Sequence, residues 1–147
     1  IQYRPLPATM FAIERELGQG SPAPGHWVNV ILYAVGCGLV AVTLLNLLGK
    51  ERRGIAIAAA LLFAAHPVHT EVVANIKSRD EILCLLSLLG TILCMAGWTQ
   101  DRSPRRIGRL VAGVAVFVAG LFTKESCLTF VAAVPLTLFV FTPVTRR

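Results

Sequence analysis

The sequence predicts an all-α membrane protein: a polytopic transmembrane helical bundle with short interfacial helices. Of its 147 residues, 55% are hydrophobic and only 15% are charged, whereas soluble domains carry about 25% charged residues. The mean hydropathy is +0.68. The apolar residues also fall into long runs that are separated by short charged segments. A bilayer crossing needs roughly 20 mostly apolar residues, and several of these runs approach or exceed that length.

Five apolar segments are predicted to cross the membrane, at about residues 26–48, 55–68, 82–98, 107–123 and 126–143. The last two form one block that contains Lys124 and Glu125. Because a charged pair is costly in the middle of a bilayer, these residues are predicted to mark a turn near one face. Pro135 is expected to kink the last helix without ending it. Residues 1–25 are predicted to form an outer-face loop containing a short interfacial helix that Gly18 ends.

The charged connections predict the orientation of these spans. The net basic connections are residues 50–53, 101–109 and 145–147. They share one side if each predicted span crosses once. The other side receives residues 1–25, residues 66–81 and the turn at 124–125, where acids match or exceed bases. Because positive loops stay cytoplasmic, residues 66–81 are predicted to face the periplasm or an organelle lumen. The net charge of +6 therefore reflects membrane topology rather than nucleic-acid binding.

The most polar segment is HPVHTEVVANIKSRDEIL, residues 66–83. One hypothesis is that Lys77 and Arg79 bind an anionic group there, because their side chains supply converging donors to a phosphate. The alternative is an interfacial helix with solvated charges, in which Lys77 and Glu81 have the spacing of an i,i+4 pair. The residues alone leave both interpretations open.

His66, His69 and Glu71 raise the question of a metal site. Their order is not HExxH and no third spaced ligand follows, so we predict no metal site. His66 is instead expected to cap a helix end or to contact a polar head group. The four cysteines lie inside or at the edge of apolar runs, and no CxxC is present, which favours buried, inert thiols.

Two further acidic positions allow alternative interpretations. Asp80 either complements a helix N-terminus or fixes the side chain of Arg79. Lys124 and Glu125 either neutralise one another at a turn or line an outward-facing cavity.

The segments YRPL, HPVHTE, SRDEIL and TKES, in this order, resemble the multi-pass O-mannosyltransferase-type membrane proteins of the glycosyltransferase C superfamily, which often carry C-terminal tetratricopeptide repeats. The resemblance implies transfer of a sugar from a polyprenyl-phosphate donor to an acceptor, expected to be a protein, on the outer face. The family's acidic catalytic residue lies in the first outer loop, and this chain begins only at that loop's end. We therefore assign no catalytic residue and expect this segment to be inactive alone.

The resemblance also places residues at the donor phosphate or in its cavity. With Lys77 from the polar segment, the candidates are Arg4, His66, His69, Glu71, Arg79, Asp80, Lys124 and Glu125. Beyond the lipid-linked sugar no cofactor is implied, and a need for a divalent metal stays open. The form NIKSRDEIL is closer to bacterial members, which favours the bacterial inner membrane with the loop from His66 to Glu81 in the periplasm. The alternative location is the endoplasmic reticulum membrane, with the loop in the lumen.

A different class of function is a non-enzymatic scaffold or transporter module that binds a lipid head group. A transporter should place ionisable residues in the middle of its spans. The predicted spans are nearly free of them, which favours the enzyme.

Overall fold

A computed structural model describes residues 4–19, 21–100 and 103–141. The α-helices in these ranges are α1 (Pro5–Leu17), α2 (Ala23–Leu48), α3 (Arg53–Ala65), α4 (His69–Ala74), α5 (Arg79–Gln100), α6 (Arg105–Leu121) and α7 (Phe130–Phe141). Short 3-10 turns occupy Lys50–Arg52, Ile76–Ser78 and Glu125–Thr129. The described ranges contain no strand, so the all-α prediction is confirmed.

Two helices are long and apolar enough to cross a bilayer, namely Ala23–Leu48 and Ile76–Gln100, which includes the 3-10 turn before α5. Each of the five predicted spans coincides with a helix, but α3, α6 and α7 have 13, 17 and 12 residues. A 13-residue helix is about 20 Å long, whereas the hydrocarbon core is about 30 Å thick. The five-span bundle therefore stays a prediction. Its parts on residues 101–102 and 142–147 lie outside the described residues.

Glycine ends the first two helices. The backbone N–H of Gly18 donates to the carbonyl of Glu14 at 2.8 Å, so α1 stops where the sequence predicts. Gly49 has a φ of +74°, a left-handed conformation that costs glycine little because it lacks a Cβ. Pro135 lies inside α7 and does not end it.

Helices α5 and α6 pack closely because α6 carries glycine where the two backbones approach. A Cβ on Gly113 would lie 2.9 Å from Met95 Cε, and one on Gly120 would lie 2.5 Å from Ser87 Oγ. Small residues at such contacts are typical of helix pairs in membranes. The Gly120 contact brings the chain after α6 back against the start of α5.

The described helices have two chemically different ends. At one end, which we call the polar end, the Tyr33 hydroxyl in the first half of α2 donates to the Ala64 carbonyl at the end of α3 at 3.0 Å. At the other end, which we call the basic end, Arg109 of α6 donates to the Gly97 carbonyl of α5 at 3.1 Å. The polar end also holds α4, the start of α5 and residues 122–129, so most of the candidate site residues meet there.

Candidate functional site

Five charged side chains at the polar end form one network, which we call the ionic cluster: Arg4, Asp80, Glu81, Lys124 and Glu125. Arg4 Nη1 donates to Asp80 Oδ2, and Arg4 Nη2 lies 3.6 Å from Glu125 Oε1. Lys124 Nζ pairs with Glu81 Oε1 and lies 3.8 Å from Asp80 Oδ2. Asp80 is therefore the shared partner of both cations.

Three separate parts of the chain supply this cluster. Arg4 directly precedes α1, and the Leu6 N–H donates to the Phe122 carbonyl at 3.3 Å, which ties the start of α1 to the end of α6. Asp80 and its acidic neighbour lie in the first turn of α5, where the helix dipole favours negative charge. Lys124 is in extended backbone between α6 and the following 3-10 turn. The cluster thus depends on tertiary packing.

Burial differs sharply among the members of the ionic cluster. The Asp80 side chain is 6% exposed, whereas those of Glu81 and Glu125 are 50% and 64% exposed. Arg4 and Lys124 are partly buried between them. Arg4 Nε is also buried without a hydrogen-bond partner among the described residues. The two cations are therefore paired with one buried acid and with two acids that are exposed to solvent.

The ion pairs shift two pKa values in the turn after α6. Burial alone would lower the pKa of Lys124, but the hydrogen bond and attraction of Glu81, helped by Asp80, raise it. The pKa of Glu125 is lowered, chiefly by a backbone hydrogen bond and also by the charge of Arg4, while desolvation opposes this shift. Both groups are therefore charged at neutral pH.

Arg79 lies in a second, separate arrangement, which we call the buried anchor. Its side chain is 0% exposed. Nε donates to Asn29 Oδ1 at 2.8 Å, Nη2 donates to the Gly25 carbonyl at 3.0 Å, and Nη1 pairs with Glu14. The guanidinium carbon lies 4.6 Å from the centre of the Phe11 ring. Arg79 thus joins α1, α2 and α5 rather than the ionic cluster, and Asp80 does not fix it.

Asn29 extends the buried anchor to the polar segment. Its side chain is fully buried, and its Nδ2 donates to the carbonyls of Val73 and Asn75 at 3.4 and 3.2 Å. A buried amide needs such partners, because leaving it unpaired costs about 1–3 kcal/mol. Asn29 therefore fixes the backbone between α4 and α5 against α2.

All three histidines line one cavity of about 380 Å³ at the polar end, together with Tyr33. The His69 ring centre is 4.3 Å from that of Phe63 and 5.6 Å from that of Tyr33. His66 Nδ1 accepts a hydrogen bond from the Val68 N–H at 3.2 Å, so it does cap the turn before α4. The described residues contain no group of three His, Cys, Asp or Glu side chains arranged to hold a metal ion.

The remaining candidates lie apart from the ionic cluster. Glu71 is exposed on α4. Lys77 lies in the 3-10 turn before α5 and lines a cavity of about 260 Å³ with Phe11 and Arg15. It does not share a continuous α-helix with Glu81, which pairs with Lys124 instead. Lys124 and Glu125 each form an ion pair with another residue of the ionic cluster.

Sequence reasoning missed Glu14, Asn29 and Glu81 as structural partners. Asn29 did carry a signal, because an amide inside an apolar run has to find a partner when it is buried. Glu14 and Glu81 gave none, since an acid on an amphipathic helix is normally solvated. Their partners, Arg79 and Lys124, are 65 and 43 residues away in the sequence.

The fold and the site define an all-helical chain with two helices long and apolar enough to cross a membrane and an ionic cluster at one end of its helices. The chain is similar to proteins named protein O-mannosyl-transferase. It is 34% identical over 131 residues to Tmtc2 of Drosophila melanogaster (86% of this chain, 14% of the relative) and 33% identical over 132 residues to TMTC2 of Homo sapiens (88% and 16%). It is 45% identical over 91 residues to TMTC1 of Mus musculus (59% and 9%).

The chain is thus homologous to one segment of the TMTC protein O-mannosyl-transferases, and it spans about one-seventh of the length of the fly relative. No family model matches the chain. No solved structure matches it. The relatives described come from animals, and they give no support to the expected bacterial inner-membrane location.

Proposed function

We propose that the full-length protein transfers mannose from a polyprenyl-phosphate donor to a hydroxyl group of a protein acceptor, and that the polar end forms part of its donor site. The observation that carries this proposal is the meeting of Arg4, Asp80, Lys124 and Glu125 in one cluster. The homology to proteins named O-mannosyl-transferases supports the reaction class. Membership of the glycosyltransferase C superfamily is part of the same proposal.

In the proposed reaction, Arg4 and Lys124 hold the donor phosphate. The donor is a phosphodiester, and breaking its bond to the sugar leaves a phosphate monoester with about −1.5 to −2 charge. Fixed cations stabilise charge that develops in the transition state. The unpartnered Nε of Arg4 supplies a further donor. The sugar moves to the acceptor oxygen, whose proton goes to a general base, a role to which we assign no residue.

The exposed acids explain how an anion enters a site that already contains carboxylates. Glu81 and Glu125 are half or more exposed, so their ion pairs with the cations are weak. We propose that the donor phosphate replaces both of them. Asp80 stays in place because it is buried, and it keeps the two cations at a fixed separation.

The proposed location is the endoplasmic reticulum membrane, with the polar end in the lumen. The separation of the two ends supports this orientation, since Lys50, Arg52 and Arg53 lie at the opposite end from the ionic cluster. Positive loops stay on the cytoplasmic side. The polar end would then meet protein acceptors in the lumen.

The test is a sugar-transfer assay with the full-length protein and a polyprenyl-phosphate mannose donor. We expect Arg4→Ala and Lys124→Ala each to lower kcat/KM by about tenfold or more, as when a positioned donor is removed from an anionic transition state. Arg53→Ala, which removes an exposed arginine at the basic end, is the matched control and should keep wild-type activity. Unchanged turnover in both variants of the ionic cluster would refute the phosphate role. A wild-type protein that binds the lipid but transfers no sugar would favour the scaffold.

A further inference from the structure

Two cysteines meet directly beneath the ionic cluster. Cys84 lies one helical turn after Asp80 on α5, and Cys127 lies two residues after Glu125 in the 3-10 turn. Their sulfur atoms are 2.9 Å apart, and both side chains are buried. Both thiols are free in this structure. The pair therefore joins the same two parts of the chain that supply the acids and the lysine of the cluster.

The packing around Gly120 holds the two sulfurs together. A Cβ on Gly120 would lie 2.5 Å from Ser87 Oγ and 3.7 Å from Cys127 Sγ, so only glycine lets α6 end this close to α5. The sulfur separation exceeds the S–S bond length of about 2.05 Å by less than about 1 Å. Bond formation needs only a small approach of the 3-10 turn toward α5.

We propose that Cys84 and Cys127 are a disulfide-forming pair, oxidised when the polar end faces a compartment that contains disulfide oxidants. The thiolate of one cysteine attacks the oxidant's disulfide and forms a mixed disulfide. The second thiolate then displaces the oxidant's remaining thiol. Two electrons pass to the oxidant, which leaves as two thiols, and the two cysteine protons are released to water or to those thiols.

The bond would fix the geometry of the ionic cluster. It closes a loop of residues 84–127, which includes all of α6, and a cross-link of this kind restricts the unfolded chain. It would also hold Asp80 and Glu81 on α5 at a constant distance from Lys124. Only the identity of the oxidising compartment depends on the proposed outer-face orientation. The ability of the two thiols to pair does not depend on sugar transfer.

The test uses purified full-length protein carrying Cys94→Ala, treated with oxidised glutathione, alkylated, and digested with trypsin. The substitution is needed because cleavage after Arg79 otherwise leaves Cys84 and Cys94 in one peptide. We expect a linked species of the peptides 80–102 and 125–146 that has lost two hydrogen atoms and separates on reduction. A parallel protein that carries Cys37→Ala as well as Cys94→Ala, and so lacks the cysteine on α2, should give the same link.

If both cysteines are recovered in alkylated form after oxidant treatment and no linked peptide is found, the proposal is overturned. A link from either cysteine to a different partner would overturn it as well. The same digest, applied to membranes that are alkylated at once on cell lysis, then tests whether the compartment at the polar end oxidises the pair. Because neither readout uses a sugar donor, failure here is distinguishable from failure of the proposed transfer reaction.

Discussion

Arg79 and Asp80, the partner of Arg4, are consecutive in the sequence, yet the two arginines have completely different surroundings. Arg79 is enclosed by Glu14, Asn29 and the Gly25 carbonyl. Arg4 pairs with Asp80, the next residue after Arg79, but it is partly exposed and its second partner is a mostly exposed acid. The two neighbouring residues therefore have different roles. Arg79 stabilises the packing of the helices, and Asp80 binds Arg4 where it is partly exposed to solvent.

Burial decides which of the two can take a ligand. Removing one partner of a buried ion pair costs about 3–5 kcal/mol, because a charge is left unpaired. Replacing an exposed partner costs about 0–1 kcal/mol. A phosphate can therefore displace Glu125 from Arg4, while nothing displaces Glu14 from Arg79 without opening the contact between α1 and α2.

The largest expected effect comes from Arg79→Ala. It leaves Glu14 and Asn29 without their partner, so we expect a loss of stability of about 3–5 kcal/mol, seen as a lower yield of folded protein and a lower thermal midpoint in detergent. Arg15→Ala, an exposed arginine on the same helix as Glu14, is the control. Equal stability of the two variants would break the comparison.

Asn29→Ala should be the next most damaging change. It removes the acceptor for Arg79 Nε and the donors to the carbonyls of Val73 and Asn75, and we expect a cost of about 1–3 kcal/mol. Hydrogen exchange at residues 73–75 should rise more than exchange elsewhere in the described chain. Uniform exchange would show that Asn29 does not fix this segment.

Arg4→Ala sharpens the comparison because its effect should fall on activity. We expect the thermal midpoint to fall less than in Arg79→Ala, because Asp80 keeps Lys124 as a second partner, while kcat/KM falls by about tenfold or more. Arg4→Lys should restore part of the activity. A variant that loses stability and activity in equal measure would place Arg4 in the same class as Arg79.

Glu125→Gln should have a smaller effect of opposite sign. Removing the acid that competes for Arg4 is expected to lower the KM for the donor by about two- to threefold, because an exposed ion pair competes only weakly. Glu16→Gln, an exposed acid on α1, is the control. A raised KM in Glu125→Gln would mean that the acid helps to hold the donor.

The smallest effect is a dependence on pH. Because the folded pKa of Lys124 is raised, its ion pairs add stability below the unfolded pKa of about 10.4, and this is lost as the pH rises through the folded value. The pKa of Glu125 is lowered, so its contribution is present above about 4.3 and is lost as the pH falls below that. Thermal midpoints of wild type and Glu125→Gln should therefore differ near neutral pH and converge in acid. A constant difference would contradict the lowered pKa of Glu125.

The sequence was sufficient for the helical class, because apolar runs are local properties, whereas the grouping of Arg4, Asp80 and Lys124 was implied by the family resemblance. It was not sufficient for their partners. The i,i+4 rule pairs Glu81 with Lys77, but tertiary packing brings Lys124 to Glu81 from 43 residues away. The contact of Cys84 with Cys127 was equally hidden, since both cysteines looked like isolated thiols in apolar runs.

The central claim is that a partly exposed arginine of the ionic cluster, and not the enclosed one, contacts the donor. It is tested most directly by measuring the equilibrium affinity of the full-length Arg4→Ala protein for polyprenyl-phosphate mannose, next to wild type and Arg53→Ala. We predict weaker binding by about tenfold, as expected for a lost charge-assisted hydrogen bond of about 1.5 kcal/mol, with the control unchanged. Wild-type affinity in a folded Arg4→Ala protein would contradict the claim.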